Sequence, residues 1–276
     1  MLYIVFFLLP SILGVGYSFT DWNSRSMGDV NLVGFKNYIE IFTSNKNYLS
    51  GISNTLMFTV ISNIIKLIPA LFLAILLTEG LKAKGLYRTI LYLPSILPYV
   101  IIGLTFKSIL NYNNGLLNAV LEALHLGFLK QKWLSDLDVV WKSVFGVDAW
   151  RGIGYVMTIF IAGLSAIPKS YYEAAQIDGA NFWQRLRHIT LPMLSGSMMI
   201  NLVFGITYGL KVFDIIYVLT NGGPGHATEV ITTYSYQLYS SGNYGMSTAL
   251  STILLLITAV IGVFIVKRMG KQEVQQ

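Results

Sequence analysis

Cysteine is absent from this chain, which excludes disulfides, thiol catalysis and thiolate-held metals but leaves the redox compartment open. Charge is scarce: 12% of the 276 residues are Asp, Glu, Lys or Arg, against about 25% in a soluble domain. No G-x-x-x-x-G-K-S/T loop is present, so this chain is not expected to hydrolyse nucleotide itself. His125, His188 and His226 stand far apart without ligand spacing, which points to surface or loop histidines and not to a metal centre. No Ser/His/Asp constellation can be read, and no cofactor is expected.

What the chain does have is apolar length. Hydrophobic residues make up 54% of it, and the mean hydropathy is +0.60. A bilayer core of about 30 Å takes roughly 20 apolar residues in helix. Six segments qualify, near Leu2–Phe19, Thr55–Leu77, Thr89–Leu110, Val140–Ile167, Leu194–Leu219 and Ser247–Val266. Helix is preferred because each segment must satisfy its own backbone, and no alternating ten-residue strand pattern recurs. The expected fold is therefore an all-α polytopic membrane protein with six transmembrane helices, in one domain over 1–276 with a core at 50–270.

The net charge of +6 would suggest nucleic acid in a soluble chain; here it reports orientation, and no nucleic-acid partner is expected. Lys82, Lys84, Arg88, Lys169, Arg185, Arg187, Lys267, Arg268 and Lys271 all fall on one side if six helices alternate. Arg25, Lys36, Lys46, Lys130 and Lys132 spread through longer, acid-containing loops on the other. Basic residues concentrated in short loops mark the cytoplasm, so both termini are expected there, in a multi-pass protein of the cell membrane. The opening MLYIVFFLLPSILGVGYSF has neither the basic flank nor the cleavage site of a signal peptide. It is expected to be a membrane helix whose natural start lies upstream.

Outside, NLVGFKNYIEIF and Leu116–Leu126 are amphipathic enough for short interfacial helices. Asn221–Met246 is a Gly-, Ser- and Tyr-rich loop with Gly222-Gly223-Pro224-Gly225 as its turn signal.

Inside, Tyr171–Pro192 is a polar island between two apolar runs. Pro168 stops the fourth membrane helix. Ser170 and Glu173 have the spacing of a capping box, and so do Asn181 and Gln184. Gly179 suits the left-handed residue that ends a first short helix near Asp178. Two short helices around a glycine corner are predicted. Ala174 and Ala175 keep the first narrow enough for a groove in another protein, while Tyr171, Tyr172 and Trp183 supply rigid aromatic area. The bland alternative is a loop that packs under its own bundle.

Glu173-Ala174-Ala175 is followed after three residues by Gly179 and after nine more by Ile189, Leu191 and Pro192. That spacing resembles the cytoplasmic coupling loop, here 168–192, of permease subunits from binding-protein-dependent ABC importers. Leu93-Pro94-Ser95-Ile96-Leu97-Pro98, Asn54-Thr55, and Phe213-Asp214 with Leu219-Thr220-Asn221-Gly222-Gly223-Pro224 are similar to elements of the maltose- and glycerol-phosphate-type permeases. The resemblance implies a second homologous permease as heterodimer partner, two ATP-binding subunits, an extracellular solute-binding protein and a sugar as commonest cargo. It implies ATPase coupling through Tyr172, Glu173, Ala174, Ala175, Asp178, Gly179, Ala180, Leu191 and Pro192.

Charges inside spans are costly and face a cavity or a partner. Lys66, Lys107, Lys142, Asp148, Arg151, Lys211 and Asp214 are such residues. Arg151 and Asp214 are expected to pair or to share a wet vestibule, and Lys66 shows no partner. Trp150, Tyr155, Tyr208 and Phe213 offer flat faces to a sugar ring; Gly152, Gly154, Gly205 and Gly209 let backbone approach a ligand. By resemblance the cargo path runs along Trp150–Tyr155 and Gly205–Val212, although the latter stretch contains no asparagine. The expected path residues are Trp150, Arg151, Gly152, Tyr155, Gly205, Tyr208, Gly209, Lys211, Val212 and Asp214. The alternative is an ion pair and small-residue contacts that serve helix packing alone.

Two other functions compete. An ion-coupled secondary transporter would use Asp148, Arg151, Lys211 and Asp214 as a relay, but paired repeats are not evident. A membrane-embedded enzyme lacks a catalytic constellation. Neither matches the spacing of the cytoplasmic island.

Overall fold

The computed structural model describes residues 1–25, 29–43, 46–78 and 83–273. Regular structure among them is helical, apart from an isolated antiparallel bridge between Thr20 and Leu32. A π-helical turn, Ile4–Leu8, leads into α1 (Leu9–Tyr17), followed by α2 (Lys36–Thr43), α3 (Lys46–Thr78), α4 (Lys84–Ile96), α5 (Tyr99–Ile109) and α6 (Leu116–Ala123). After α7 (Val140–Ala166) come α8 (Lys169–Ile177) and α9 (Phe182–Arg185). A second π-helical turn, Leu186–Thr190, and α10 (Leu191–Met193) precede α11 (Ser195–Leu210), α12 (Asp214–Leu219), α13 (Ile231–Ser240) and α14 (Tyr244–Glu273). Lys82 lies outside the described residues, as do the side chains of Lys46, Arg268 and Lys271.

Among the described residues, three helical stretches are long and apolar enough to cross a bilayer unbroken: Asn47–Thr78, Val140–Ala166 and Tyr244–Ile265. Two bent pairs raise the number to five, and Ile4–Tyr17 is apolar but shorter. The third predicted span is thus corrected from one helix to a broken one, and the fifth, expected over Leu194–Leu219, starts at a bend and stops at Leu210. In the third, α4 and α5 meet at 95°. Leu97 is extended, with φ −71° and ψ 138°, because the Pro98 ring disfavours helix at the residue before it. In the fifth, Phe182–Met193 and Ser195–Leu210 meet at 66°. Pro192, the preceding π-turn and the weak helix formers Ser195 and Gly196 all lie at that kink. The helix then stops at Leu210 and resumes at Asp214.

The two short amphipathic helices expected in the loops form, as α2 and α6. α13 is the exception: its ITTYSYQLYS sequence looks like loop, yet it forms a helix with Ile231, Thr233 and Tyr234 buried.

The chain packs as two compact units. One comprises 1–58, 103–144 and 210–276. Its core gathers Ile41, Ile231, Tyr234, Met246, Ala249, Leu250 and Ile253 from α2, α13 and α14. Asn54 donates to the carbonyls of Ala227 (3.0 Å) and Glu229 (2.8 Å), and Thr55 Oγ1 accepts from the Ile231 N–H at 3.0 Å. The Asn-Thr pair at this point of α3 therefore anchors the segment after the Gly-Gly-Pro-Gly turn. Glu229, 1% exposed, is held by Thr233 and Gln237. Burial and that carboxylate push the neighbouring Tyr234 hydroxyl above its ordinary pKa.

The other unit comprises 59–102 and 145–209. Ala70, Ala74, Ile75 and Leu77 of α3 meet Met157, Phe160, Ile161 and Leu164 of α7 in its core, joined by Ile167, Leu186 and Leu194. At Gly154 the backbone of α4 comes so close that a Cβ would strike the Leu91 carbonyl. Gly154→Ala is expected to destabilise the protein by about 1–3 kcal/mol through overpacking, whereas Gly146→Ala, with open space beside it, should be neutral. Thermal unfolding of the two variants in detergent checks this; equal melting temperatures would refute the close contact.

Candidate functional site

The elbow between α7 and α11 is built by local sequence. Pro168, φ −61° and ψ 133°, is the N-cap of α8, and no side chain caps it. The capping box expected from Ser170 and Glu173 is therefore not formed: the helix starts at Lys169, two residues too early for Ser170 to be its cap. The box from Asn181 is formed, with Asn181 Oδ1 accepting from the Gln184 N–H at 3.0 Å and Gln184 Oε1 from the Asn181 N–H at 2.8 Å. Gly179 has φ +75°. The Ala180 N–H reaches the Ala175 carbonyl at 2.9 Å and the Gly179 N–H the Gln176 carbonyl at 3.1 Å, the paired closure expected of a helix ending in a left-handed glycine.

The elbow is two-faced. Tyr172, Phe182 and Leu191 pack against the core through which α3 and α7 meet, and the Tyr172 hydroxyl lies 3.1 Å from Thr190 Oγ1. Tyr171, Ile177 and Trp183 point the other way, 52%, 87% and 65% exposed. Glu173, Ala174, Asp178 and Pro192 are exposed beside them, while Ala175 and Ala180 are half-buried. The elbow thus packs under its own helices and also presents an apolar outer face.

Higher in the same unit lies a cavity of about 440 Å³. Asp148 of α7, 1% exposed in its side chain, pairs with Lys66 of α3 at 3.0 Å. It also accepts from Ser62 Oγ at 2.6 Å and Tyr208 Oη at 2.8 Å. Lys66, for which the sequence offered no partner, is thus fully engaged; its Nζ also sits 4.5 Å from the Tyr208 ring centroid. Tyr208 stacks on Tyr99 at 5.5 Å, and the Arg151 guanidinium lies 3.5 Å over the Tyr99 ring. Arg151 Nε donates to the Leu97 carbonyl at 3.3 Å, an acceptor freed where α4 breaks.

Of the expected path residues, Arg151, Gly152, Tyr155, Gly205 and Tyr208 line this cavity. Trp150 is 46% exposed and not among the lining residues. Gly209 is buried against Thr59. Lys211, Val212 and Asp214 belong to the other unit: Lys211 and Asp214 are exposed, and the Val212 carbonyl accepts from Thr232. Of the relay that a secondary transporter would use, Asp148 is committed to Lys66, Ser62 and Tyr208.

Asn63, Tyr92, Ser95, Tyr99, Asn201 and Phe204 also line the cavity, and sequence reasoning did not single them out. A signal existed, since Asn63 stands three residues before Lys66 and Asn201 seven before Tyr208, each on the same helical face. Asn201 is 2% exposed and its Oδ1 has no hydrogen-bond partner. The cavity thus combines aromatic faces and one guanidinium, and behind its wall lies a buried carbonyl acceptor that has no partner among the described residues.

Removing one member of a buried ion pair strands the other, at a cost of about 3–5 kcal/mol. Asp148→Asn is expected to lose that order of stability, and Lys66→Met in the same chain to recover over half of it. A double-mutant thermal-unfolding cycle measures this; additive losses would show the pair is not one energetic unit.

Three comparisons bear on this geometry. The family model described as "binding-protein-dependent transport system inner membrane component" matches residues 41–270. The chain is similar to the trehalose/maltose transport system permease protein MalF of Thermococcus litoralis, 33% identical over 92% of this chain and 85% of that protein. It is also similar to the multiple sugar-binding transport system permease protein MsmF of Streptococcus mutans, 32% identical over 99% and 93%. Among solved structures, a bacterial ABC transporter involved in import of the acidic polysaccharide alginate shares the fold, with a TM-score of 0.83, 24% identity and coverage of 98% of this chain and 91% of that one. In such importers ATP hydrolysis resides in a separate subunit. The chain belongs to the binding-protein-dependent inner membrane components, the multi-pass permease subunits of ABC importers.

Proposed function

We propose that this permease carries a sugar or oligosaccharide inward, as a single transmembrane domain beside a second homologous permease. Two ATP-binding subunits grip the elbow from the cytoplasm, an extracellular solute-binding protein delivers cargo, and both termini are cytoplasmic. The observation that carries the reading is the elbow. Its exposed Tyr171, Ile177 and Trp183 suit a partner groove, while Tyr172, Phe182 and Leu191 join it to the core of α3 and α7. Capped short helices deform less than a loop, so displacement of the ATPase surface passes into the membrane helices as rigid-body motion.

The cavity supports a carbohydrate cargo. Tyr155 and the stacked Tyr99 and Tyr208 supply ring faces for the C–H side of a sugar. Asn201 Oδ1, buried in this state, can accept from a hydroxyl once the helices part, and Arg151 has further N–H groups to donate. Transport of sugars by the two relatives named above agrees with this.

Gly179→Ala puts a side chain at φ +75°, at a cost of about 1–2 kcal/mol; about tenfold weaker ATPase association follows from that energy. Gly179→Pro is expected to abolish uptake, because proline cannot adopt that φ and removes an N–H that the corner uses. Glu173→Ala should uncouple ATP hydrolysis from uptake. Radiolabelled-sugar uptake with the ATPase measured in parallel tests all three, and normal uptake by both Gly179→Pro and Glu173→Ala would defeat the proposal.

The cysteine-free chain also makes orientation testable. An impermeant maleimide should label Phe128→Cys in intact cells and His188→Cys only after permeabilisation; the reverse pattern would overturn the cytoplasmic elbow.

A further inference from the structure

One ring that would serve cargo is already occupied in this state. Tyr99 stacks on Tyr208, with centroids 5.5 Å apart and planes 13° from parallel. Arg151 Cζ lies 3.5 Å from the Tyr99 centroid, which puts the guanidinium directly over the ring. At that distance a second ring has no room on the same side. Tyr208 therefore takes one face of Tyr99 and Arg151 the other, so the place where a sugar ring would stack is filled by the protein itself.

The side chain that fills it also spans a joint. Arg151 Nε donates to the Leu97 carbonyl at 3.3 Å, and the Arg151 carbonyl accepts from Ser95 Oγ at 2.8 Å. Ser95 and Leu97 precede Pro98, and Tyr99 follows it. One residue of α7 thus touches both sides of the 95° break between α4 and α5.

The hold on the ring is of a kind that another ligand can take over. The bond to Leu97 is long, and Arg151 has no ion pair among the described residues. A cation over an aromatic face is worth roughly tenfold in an equilibrium, or about thirtyfold when shielded from water. The apolar side of a sugar covers the same face. Arg151 and Tyr99 are both half-buried and line the cavity of about 440 Å³, which gives a departing guanidinium space to enter. Lys66, the other cation at this stack, is different: its bond to Asp148 at 3.0 Å keeps it in place.

We propose that Arg151 is a built-in occupant of the cargo site, displaced from Tyr99 when a sugar ring stacks there, and that its departure loosens the break between α4 and α5. The displaced guanidinium keeps its donors for the sugar's hydroxyls, so one residue serves the empty and the loaded site. The inference deepens the proposed function, on which it rests for the identity of the cargo as a sugar.

The test uses the full-length permease purified with its accompanying subunits, and follows backbone amide exchange at 97–102 by mass spectrometry. Maltose, trehalose and maltotriose are the sugar probes, and methylguanidinium stands in for the Arg151 head group. Without sugar, Arg151→Ala should exchange about tenfold faster in this segment than the unaltered protein, the loss of one cation–ring contact. Methylguanidinium should restore the protection. Arg151→Lys keeps a cation but not the fork that reaches Leu97 and Tyr99 together. It should fall between the two, and it serves where the alanine variant fails to fold. A sugar that binds should speed exchange in the unaltered protein to a similar degree. In Arg151→Ala, methylguanidinium at about twice its own Kd should raise the Kd of that sugar by about threefold, as for two ligands of one face.

Sugar binding that leaves exchange at 97–102 unchanged, or that methylguanidinium fails to weaken in Arg151→Ala, would overturn the displacement and leave the cargo reading intact. Equal exchange in the unaltered protein and both variants would show that Arg151 does not hold the joint, with the same consequence. Binding of no sugar by any form, with methylguanidinium still protecting Arg151→Ala, would bring down the sugar reading and the displacement together.

Discussion

A buried carboxylate organises the membrane part of this permease. Asp148 is 1% exposed and takes three partners, Lys66, Ser62 and Tyr208, from two other helices. Lipid offers no water to relieve an unmatched polar group, so α3, α7 and α11 are held to the register in which those partners meet. Neither charge of the pair is free for transport chemistry. Replacing both by apolar residues need not lower stability; what the pair adds is specificity of arrangement. With Lys66 neutralised, the net charge of the cavity comes from Arg151, whose position is set by the Tyr99 ring and the Leu97 carbonyl.

That carbonyl is available because α4 stops before Pro98. A straight third span would have used its acceptors within the helix and left Arg151 without this anchor. The 95° break therefore belongs to the construction of the cavity. Gly154 contributes at the same level: with no side chain there, the backbone of α4 lies directly against α7, which brings Ser95 within 2.8 Å of the Arg151 carbonyl. Proline, glycine and the ion pair each remove one freedom from the same few helices.

Much of this was legible in the chain and some was not, for identifiable reasons. Apolar length located the membrane segments, and basic residues suggested an orientation. The elbow was readable almost to the residue, since Gly179 and the Asn181 box act within a few positions of themselves. Ser170 misled because a capping pattern does not say where its helix begins, and Pro168 had already set that point. The break at Leu97 escaped a reading by hydropathy, which sums over a window and is blind to one extended residue, whereas the bend at Leu194 falls where the fifth span was expected to begin. α13 escaped because its serines, threonines and tyrosines have weak helix propensity, and burial of Ile231, Thr233 and Tyr234 outweighs it. The partner of Lys66 lies in another span. No periodicity connects α3 to α7, so only the fold could supply it.

One helix joins the two functional regions of this unit. Along α7, Asp148, Arg151, Gly152, Tyr155 and Val156 follow the spacing of a single helical face, and all but Asp148 line the upper cavity. Lower down, Phe160, Ile161 and Leu164 turn to the core that holds Leu186 of the elbow. From Arg151 to Ala166 the helix is unbroken, about 23 Å at 1.5 Å per residue. Along the stretch from Arg151 the helix is packed on both α3 and α4, and Gly152, Gly154 and Gly163 lie against neighbouring backbone and side chains where a kink has no room. Displacement at the elbow therefore reaches the guanidinium and the aromatic stack as movement of the whole face. On the proposed function, the rigidity that fixes Asp148 among its partners would make α7 a lever between the elbow and the cavity.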